Sequence, residues 1–208
     1  VKKTLLFDFD GTIGDSFVVL QEIFYELTGH PRITDPNEIE SLRHLPFVGV
    51  AKKLGVTPWQ IPRLVVQGRK AMNRHMPEVQ PFPGMVEALK ALHDDGYRMY
   101  ILSSNSSQNV KFFLEAHGLS DFFLRVYGGV GLVGKAGAIR KVMRQNKLLV
   151  QDCLYIGDET RDIEGAKKAG VSVLAVGWGI NASELLAQLQ PDGLAQTPQE
   201  MKMIIQSM

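Results

Sequence analysis

The chain has little that would mark it for export, for membranes or for nucleic acid. It carries one cysteine, Cys153, among 208 residues. That excludes an internal disulfide and fits a reducing compartment. Cys153 lies in an apolar run, where a structural thiol is expected rather than a reactive one. Charge is almost balanced, 23 Lys and Arg against 22 Asp and Glu, a formal net charge of +1. No strong field is available to attract nucleic acid or an acidic membrane surface. No apolar stretch is long enough to span a bilayer. The chain opens directly on a strand-like run with no signal-peptide pattern, so the cytoplasm is the expected location. Five histidines are scattered without ligand spacing, which removes a histidine-based metal site from consideration. There is no internal repeat and no low-complexity tract.

What is there begins with residues 4–16, T-L-L-F-D-F-D-G-T-I-G-D-S. Leu5, Leu6 and Phe7 form a short apolar run that reads as a buried strand of a parallel sheet. It ends in two acids, Asp8 and Asp10, and Gly11 allows a sharp turn behind them. Ligands of open parallel sheets bind beyond the carboxyl ends of the strands. Two carboxylates are therefore delivered to the expected place of chemistry, where burial requires a compensating cation. A hard divalent ion such as Mg²⁺ suits oxygen donors.

Between 15 and 79 the pattern is helical throughout. Phe17, Leu20, Phe24 and Leu27 recur at helical spacing. Asp35-Pro36-Asn37-Glu38 reads as a helix start, and Thr57-Pro58-Trp59-Gln60 repeats that logic. Ile61, Leu64, Val65, Gly68, Met72 and Met76 then make one apolar stripe. Residues 77–83 hold three prolines and read as a linker. From there helices and strands alternate. Helices are predicted near 84–94, 108–117, 136–145 and 161–169, and strands near 99–102, 122–127, 153–156 and 171–176. Two last helices open at Asn181-Ala182-Ser183-Glu184 and Thr197-Pro198-Gln199-Glu200, capping boxes or their relatives. Alternation of this kind means right-handed crossovers and a doubly wound parallel α/β sheet, Rossmann-like. The expected organisation is a core of 1–14 and 81–208 with an inserted all-helical cap of 15–80. An insertion leaving from the carboxyl end of the first strand lies over the site and can act as a lid.

Three further segments end strands or open helices with chemistry-bearing groups. Ser103-Ser104-Asn105-Ser106-Ser107 can hold an anion with hydroxyls and amides, or Ser106 can simply cap the next helix. Lys135 follows Gly134 at a helix start, where the dipole disfavours a cation, so a nearby anion would relieve the conflict; a solvated surface lysine is the alternative. Gly157-Asp158-Glu159-Thr160-Arg161-Asp162 places Asp158 and Asp162 four apart at a helix N-terminus, as ligands or as caps.

D-F-D-G-T resembles the first signature of the haloacid dehalogenase-like hydrolases, aspartate-nucleophile phosphatases in the main. The other segments follow that family's order: a Ser closing the second strand, a Lys, and G-D-x-x-x-D. The resemblance covers essentially the whole chain and is nearest the phosphoglycolate phosphatase-like branch. It implies Asp8 as nucleophile and Asp10 as general acid and base. Ser103, Ser104, Asn105 and Lys135 would bind phosphate. Mg²⁺ would be held by Asp8, the backbone carbonyl of Asp10 and Asp158, with Asp162 directly or through water. Ala136 follows Lys135 where the family often has Pro, and Lys141 is the fallback. Dehalogenases lack the second acid, so Asp10 implies an oxygen leaving group. Trp178-Gly179 resembles a family loop at the site mouth, or serves in core packing. Arg43, Lys52 and Lys53 are candidate partners for a substrate carboxylate, or surface charge. The function expected is hydrolysis of a small phosphorylated metabolite by a monomer or small homo-oligomer. A sugar-phosphate mutase, or a retired scaffold kept for binding, is the alternative.

Overall fold

The computed structural model describes residues 4–131 and 134–208. Residues 1–3 of the expected core lie outside it. The first strand, β1 (Thr4–Phe7), is buried over its whole length. After it, β2 (Gly14–Asp15) leads into four helices, α1 (Phe17–Thr28), α2 (Pro36–Arg43), α3 (Phe47–Lys53) and α4 (Ile61–His75). The chain returns through a 3-10 turn, Met76–Glu78, and β3 (Gln80–Pro81). The remainder is α5 (Met85–Asp94), β4 (Arg98–Leu102), α6 (Ser107–Ala116), β5 (Phe123–Tyr127), α7 (Lys135–Gln145), β6 (Cys153–Gly157), α8 (Thr160–Ala169), β7 (Ser172–Val176), α9 (Ser183–Gln188), β8 (Gly193–Ala195) and α10 (Pro198–Ser207).

Six strands form one parallel sheet in the order β5-β4-β1-β6-β7-β8. Alternate side chains feed two apolar layers. Leu5 and Phe7 join α5, α6 and α10 on one face, through Leu89, Phe113 and Met201. Leu6, Tyr100 and Tyr155 join α7, α8 and α9 on the other, through Ile139, Ile163 and Leu186. The register sets Phe7 beside both Ile101 and Ile156. The three strands thus end within one residue of the same level, and the residues that follow them share one edge. Chain order reverses between β1 and β6, the switch point at which such sheets bind ligands.

Several elements differ from the sequence reading. The proline-rich stretch is a linker only in part, because Gln80–Pro81 pairs antiparallel with Gly14–Asp15. The helical block leaves and rejoins the core through this two-stranded ribbon. Helix α3 was not expected; Pro46 stands at its N-cap without a side-chain hydrogen bond, so no capping signal announces it. Helix α4 begins one turn after Thr57, whose N–H and hydroxyl instead donate to Gln60 Oε1. Strand β8 is three residues on the sheet edge, too short to show a pattern. At α9 the N-cap is Ala182 and no side chain caps it. Asn181 is used elsewhere: its Oδ1 accepts from Thr160 N, and its Nδ2 donates to the carbonyls of Arg43 and Leu45. Gly165 lets α7 and α8 approach closely, since a Cβ there would lie 2.7 Å from Lys135 Cβ. The caps predicted at Asp35, Ser106 and Thr197 are present.

Candidate active site

Asp8 is the first residue beyond β1. Its N–H donates to Ile156 O, which extends the β1–β6 ladder by one residue and fixes the carboxylate at the sheet edge. Its Oδ1 accepts from Phe9 N at 2.8 Å. Behind it the chain turns on Phe9 O, which accepts from Ile13 and Gly14 N–H groups. Gly11 takes φ +77° in that turn, and a Cβ there would lie 2.2 Å from Asp158 Oδ2. Gly179, from the loop after β7, is held to the same absence: its Cβ would lie 2.3 Å from that oxygen. Two glycines thus leave just enough room for one carboxylate.

Asp158 follows β6 and is anchored from both sides. Thr12 Oγ1 donates to its Oδ1 at 2.6 Å and Ile180 N to its Oδ2 at 2.7 Å. Asp162, in the first turn of α8, accepts from Glu159 N at 3.0 Å in a capping box. Carboxylate oxygens of Asp8, Asp158 and Asp162 lie within 4.8 Å of one another, and all three residues are buried. Lys135 opens α7 and is itself buried. Its Nζ lies 2.6 Å from Asp8 Oδ2 and 2.6 Å from Asp162 Oδ1. The anion that resolves the dipole conflict at this helix start is therefore a pair of carboxylates. Lys141 is exposed on the same helix and does not reach the site.

Ser103 follows β4, is fully buried, and accepts from Asn105 N at 2.9 Å. Asn105 Nδ2 donates to Asp10 Oδ1 at 3.2 Å, and Asn105 Oδ1 accepts from Asn109 Nδ2 at 2.8 Å. Asp10 thus belongs to the β4 side of the site, apart from the acidic trio. Ser104 offers its carbonyl to Arg69 Nε at 2.6 Å, and Arg69 Nη2 also donates to Val130 O at 2.8 Å. Through Arg69, α4 is tied to the loops at the site.

The electrostatics follow from burial. Asp8 is raised to about 7, chiefly by loss of water, with Lys135 opposing and Asp162 adding to the rise. Asp10 is raised to about 6, again by burial, offset by the Ser16 hydroxyl and the Asn105 amide. Asp158 is pushed well above the carboxylate range by burial and by Glu159, Asp162 and Asp8. Burial would lower Lys135, but Asp162 and Asp8 outweigh it and hold the ammonium protonated. Three carboxylates therefore face one ammonium. When ionised they leave a deficit of two positive charges in a space where charge is poorly solvated. A divalent cation with oxygen ligands meets both the donor set and the deficit. The residues fit such an ion.

Of the residues proposed from sequence, Asp8, Asp158, Asp162 and Lys135 meet directly, and Asp10, Ser103 and Asn105 stand beside them. Lys52 and Lys53 are exposed, and Lys53 Nζ donates to Ser41 Oγ. Arg43 reaches the core, but its Nη2 is spent on Gly179 O at 3.1 Å. Trp178 combines both expected roles: Nε1 donates to Thr12 O at 3.1 Å while the ring packs on Phe82. Thr12, Arg69 and Asn181 were not singled out for these contacts. Thr12 stands inside the D-G-T quoted above, and its hydroxyl was the available signal. Arg161 was also missed. It pairs with Glu159, which together with Asp8 and Asp162 keeps its guanidinium charged against burial.

The comparisons agree with this geometry. A family model described as haloacid dehalogenase-like hydrolase matches residues 5–176. A phosphoglycolate phosphatase of Synechococcus elongatus is 32% identical over 202 residues, 96% of this chain and 95% of that one. A pyrophosphatase PpaX of Halalkalibacterium halodurans is 25% identical, covering 91% of this chain and 90% of the relative. The crystal structure of a protein described as a predicted phosphatase from Clostridium acetobutylicum superposes over 100% of both chains with a TM-score of 0.83 at 21% identity, a likeness of fold. With signatures, sheet order and relatives in agreement, the chain belongs to the haloacid dehalogenase-like hydrolase family, in its phosphoglycolate phosphatase-like branch.

Proposed function

We propose that the protein is a Mg²⁺-dependent phosphatase that hydrolyses a small phosphomonoester through an aspartyl phosphate on Asp8. The observation that carries this reading is the Lys135 ammonium, 2.6 Å from both Asp8 and Asp162, beside a third buried carboxylate. A phosphate ester resists nucleophiles because of its own negative charge, so its hydrolysis depends on neutralisation and in-line positioning. Mg²⁺, held by Asp8, the Asp10 carbonyl, Asp158 and Asp162, would supply positive charge against the phosphoryl oxygens.

The chain's own groups do the rest. A carboxylate oxygen of Asp8 forms the new bond to phosphorus as the ester P–O bond breaks. The departing oxygen keeps the electron pair and takes a proton from Asp10. Burial holds Asp10 near 6, so both its protonation states are accessible close to neutrality. Asp10 then accepts a proton from water, whose oxygen bonds to phosphorus and frees Asp8. Asn105 keeps Asp10 turned toward this work. Lys135 and the Ser103 hydroxyl hold phosphoryl oxygens. The helical block acts as a lid over the site, steadied by Arg69 and Asn181. The single buried cysteine agrees with a cytoplasmic setting.

The test is release of inorganic phosphate with Mg²⁺ from acetyl phosphate and from phosphoglycolate, the ester in the names of several relatives. Activity is expected to disappear in Asp8→Asn and on chelation. An Asp8→Asn protein that turns over at the unsubstituted rate refutes the mechanism.

A further inference from the structure

The helical block is hollow. Helices α1 to α4 turn apolar side chains toward one another, yet Leu20, Phe24, Phe47 and Leu64 remain only partly buried. They border a cavity of about 340 Å³ that extends from Asp10, Ser104 and Asn105 at the sheet edge into the block. Protein interiors are normally filled to the density of organic crystals. A hollow bordered by four helices and opening onto the reacting groups is space kept for part of a ligand.

The charge around it is unevenly placed. The cations that border it, Arg43, Arg69 and Arg161, come from the end near the core, and each is already engaged. Arg43 holds Glu40 and Gly179 O, Arg69 holds two carbonyls, and Arg161 holds Glu159. Arg161 Nε is buried without a hydrogen-bond partner among the described residues, close enough to Asp8 and Asp162 to feel their charge. An anionic head therefore belongs at the mouth. Deeper in, a carboxylate would be stripped of water with no cation to meet it. The volume has room for roughly ten water-sized groups, far more than a two-carbon acid fills.

Resting on the phosphatase reading above, we infer that the substrate is a phosphomonoester of an apolar alcohol, aromatic or medium-chain aliphatic, whose hydrocarbon part occupies the hollow of the helical block. The reaction remains the one described. The ester P–O bond breaks, phosphorus passes to Asp8, and the alcohol leaves through the block with the proton from Asp10.

The experiment compares kcat/KM with Mg²⁺ for ethyl, butyl and hexyl phosphate, benzyl phosphate, phosphoglycolate and acetyl phosphate. Each methylene is expected to raise kcat/KM by up to about fourfold until the hollow is filled. Hexyl and benzyl phosphate should exceed phosphoglycolate by more than tenfold. The companion variant is Gly68→Leu. Gly68 lies inside α4 and borders the hollow, and a Cβ there meets only Ile23 Cγ2, at 3.8 Å. Leu is a better helix former than Gly, so the variant is expected to fold. It should lose at least tenfold on hexyl phosphate and retain acetyl phosphate turnover. Phosphoglycolate hydrolysed faster than every apolar ester overturns the substrate class and leaves the phosphatase reading standing. The same holds if Gly68→Leu leaves the chain-length dependence unchanged. No phosphate released from any compound, acetyl phosphate included, overturns both.

Discussion

Removing divalent metal should make the protein more stable in mild acid than at neutrality, opposite to the usual behaviour of paired carboxylates. Asp8 and Asp10 are buried, and burial raises them from 3.8 to about 7 and about 6. A raised carboxyl holds its proton in the folded chain after the unfolded chain has lost it. Its contribution is present in full below about pH 4 and is lost as pH rises through the folded values. Each such group changes stability by about 1.4 kcal/mol per pH unit inside its window. From pH 5 to 7, Asp8 acts over two units and Asp10 over one, so about 4 kcal/mol is lost. That is a large part of the 5–15 kcal/mol of an ordinary domain. Mg²⁺ held as proposed would let the carboxylates ionise in the folded state and remove the slope. Urea unfolding in EDTA and in excess Mg²⁺, from pH 5 to 7.5, measures both curves. They should converge toward pH 5 and separate by several kcal/mol above pH 7. Parallel curves, or a metal-free protein that gains stability toward pH 7 relative to the loaded one, would refute the argument.

Three substitutions probe single contacts. Lys135→Met removes the ammonium between Asp8 and Asp162, and kcat for phosphate release should fall by about 10²–10³. Gly11→Ala sets a Cβ 2.2 Å from Asp158 Oδ2 at a positive φ; it should weaken Mg²⁺ binding at least tenfold by calorimetric titration while far-ultraviolet circular dichroism stays unchanged. Asn181→Ala leaves Thr160 N without its acceptor and takes the Nδ2 donor from Leu45 O, while Arg43 O keeps the Ala182 N–H; the loss should cost about 2–3 kcal/mol in urea unfolding.

Much of the site was legible because its groups stand immediately after strands. Leu5 to Phe7 and Leu154 to Ile156 are apolar runs, and an acid directly behind such a run has few places to go. The parallel register sets Asp8 level with Leu102 and Gly157, so Ser103 and Asp158 follow one residue beyond it at the same edge. Asn181 was misread because its local sequence is that of a helix cap, while its amide is claimed by Thr160, Arg43 and Leu45, contacts distant in the chain. Strand β8 exists only as an edge partner of β7 and carries no periodicity of its own. The hollow between α1 and α4 was invisible for a related reason: Leu20 and Leu64 have the spacing of core residues, and spacing does not reveal whether facing stripes touch.

The ribbon of Gly14–Asp15 with Gln80–Pro81 sets the two backbone crossings side by side. Everything between them is a detour whose ends nearly meet, so its helices can be lengthened, exchanged or emptied without moving any strand of the main sheet. The sheet edge that carries Asp8, Ser103 and Asp158 and the helical block are thereby joined at one covalent seam, and the sequence of either can drift without resetting the strand register of the other.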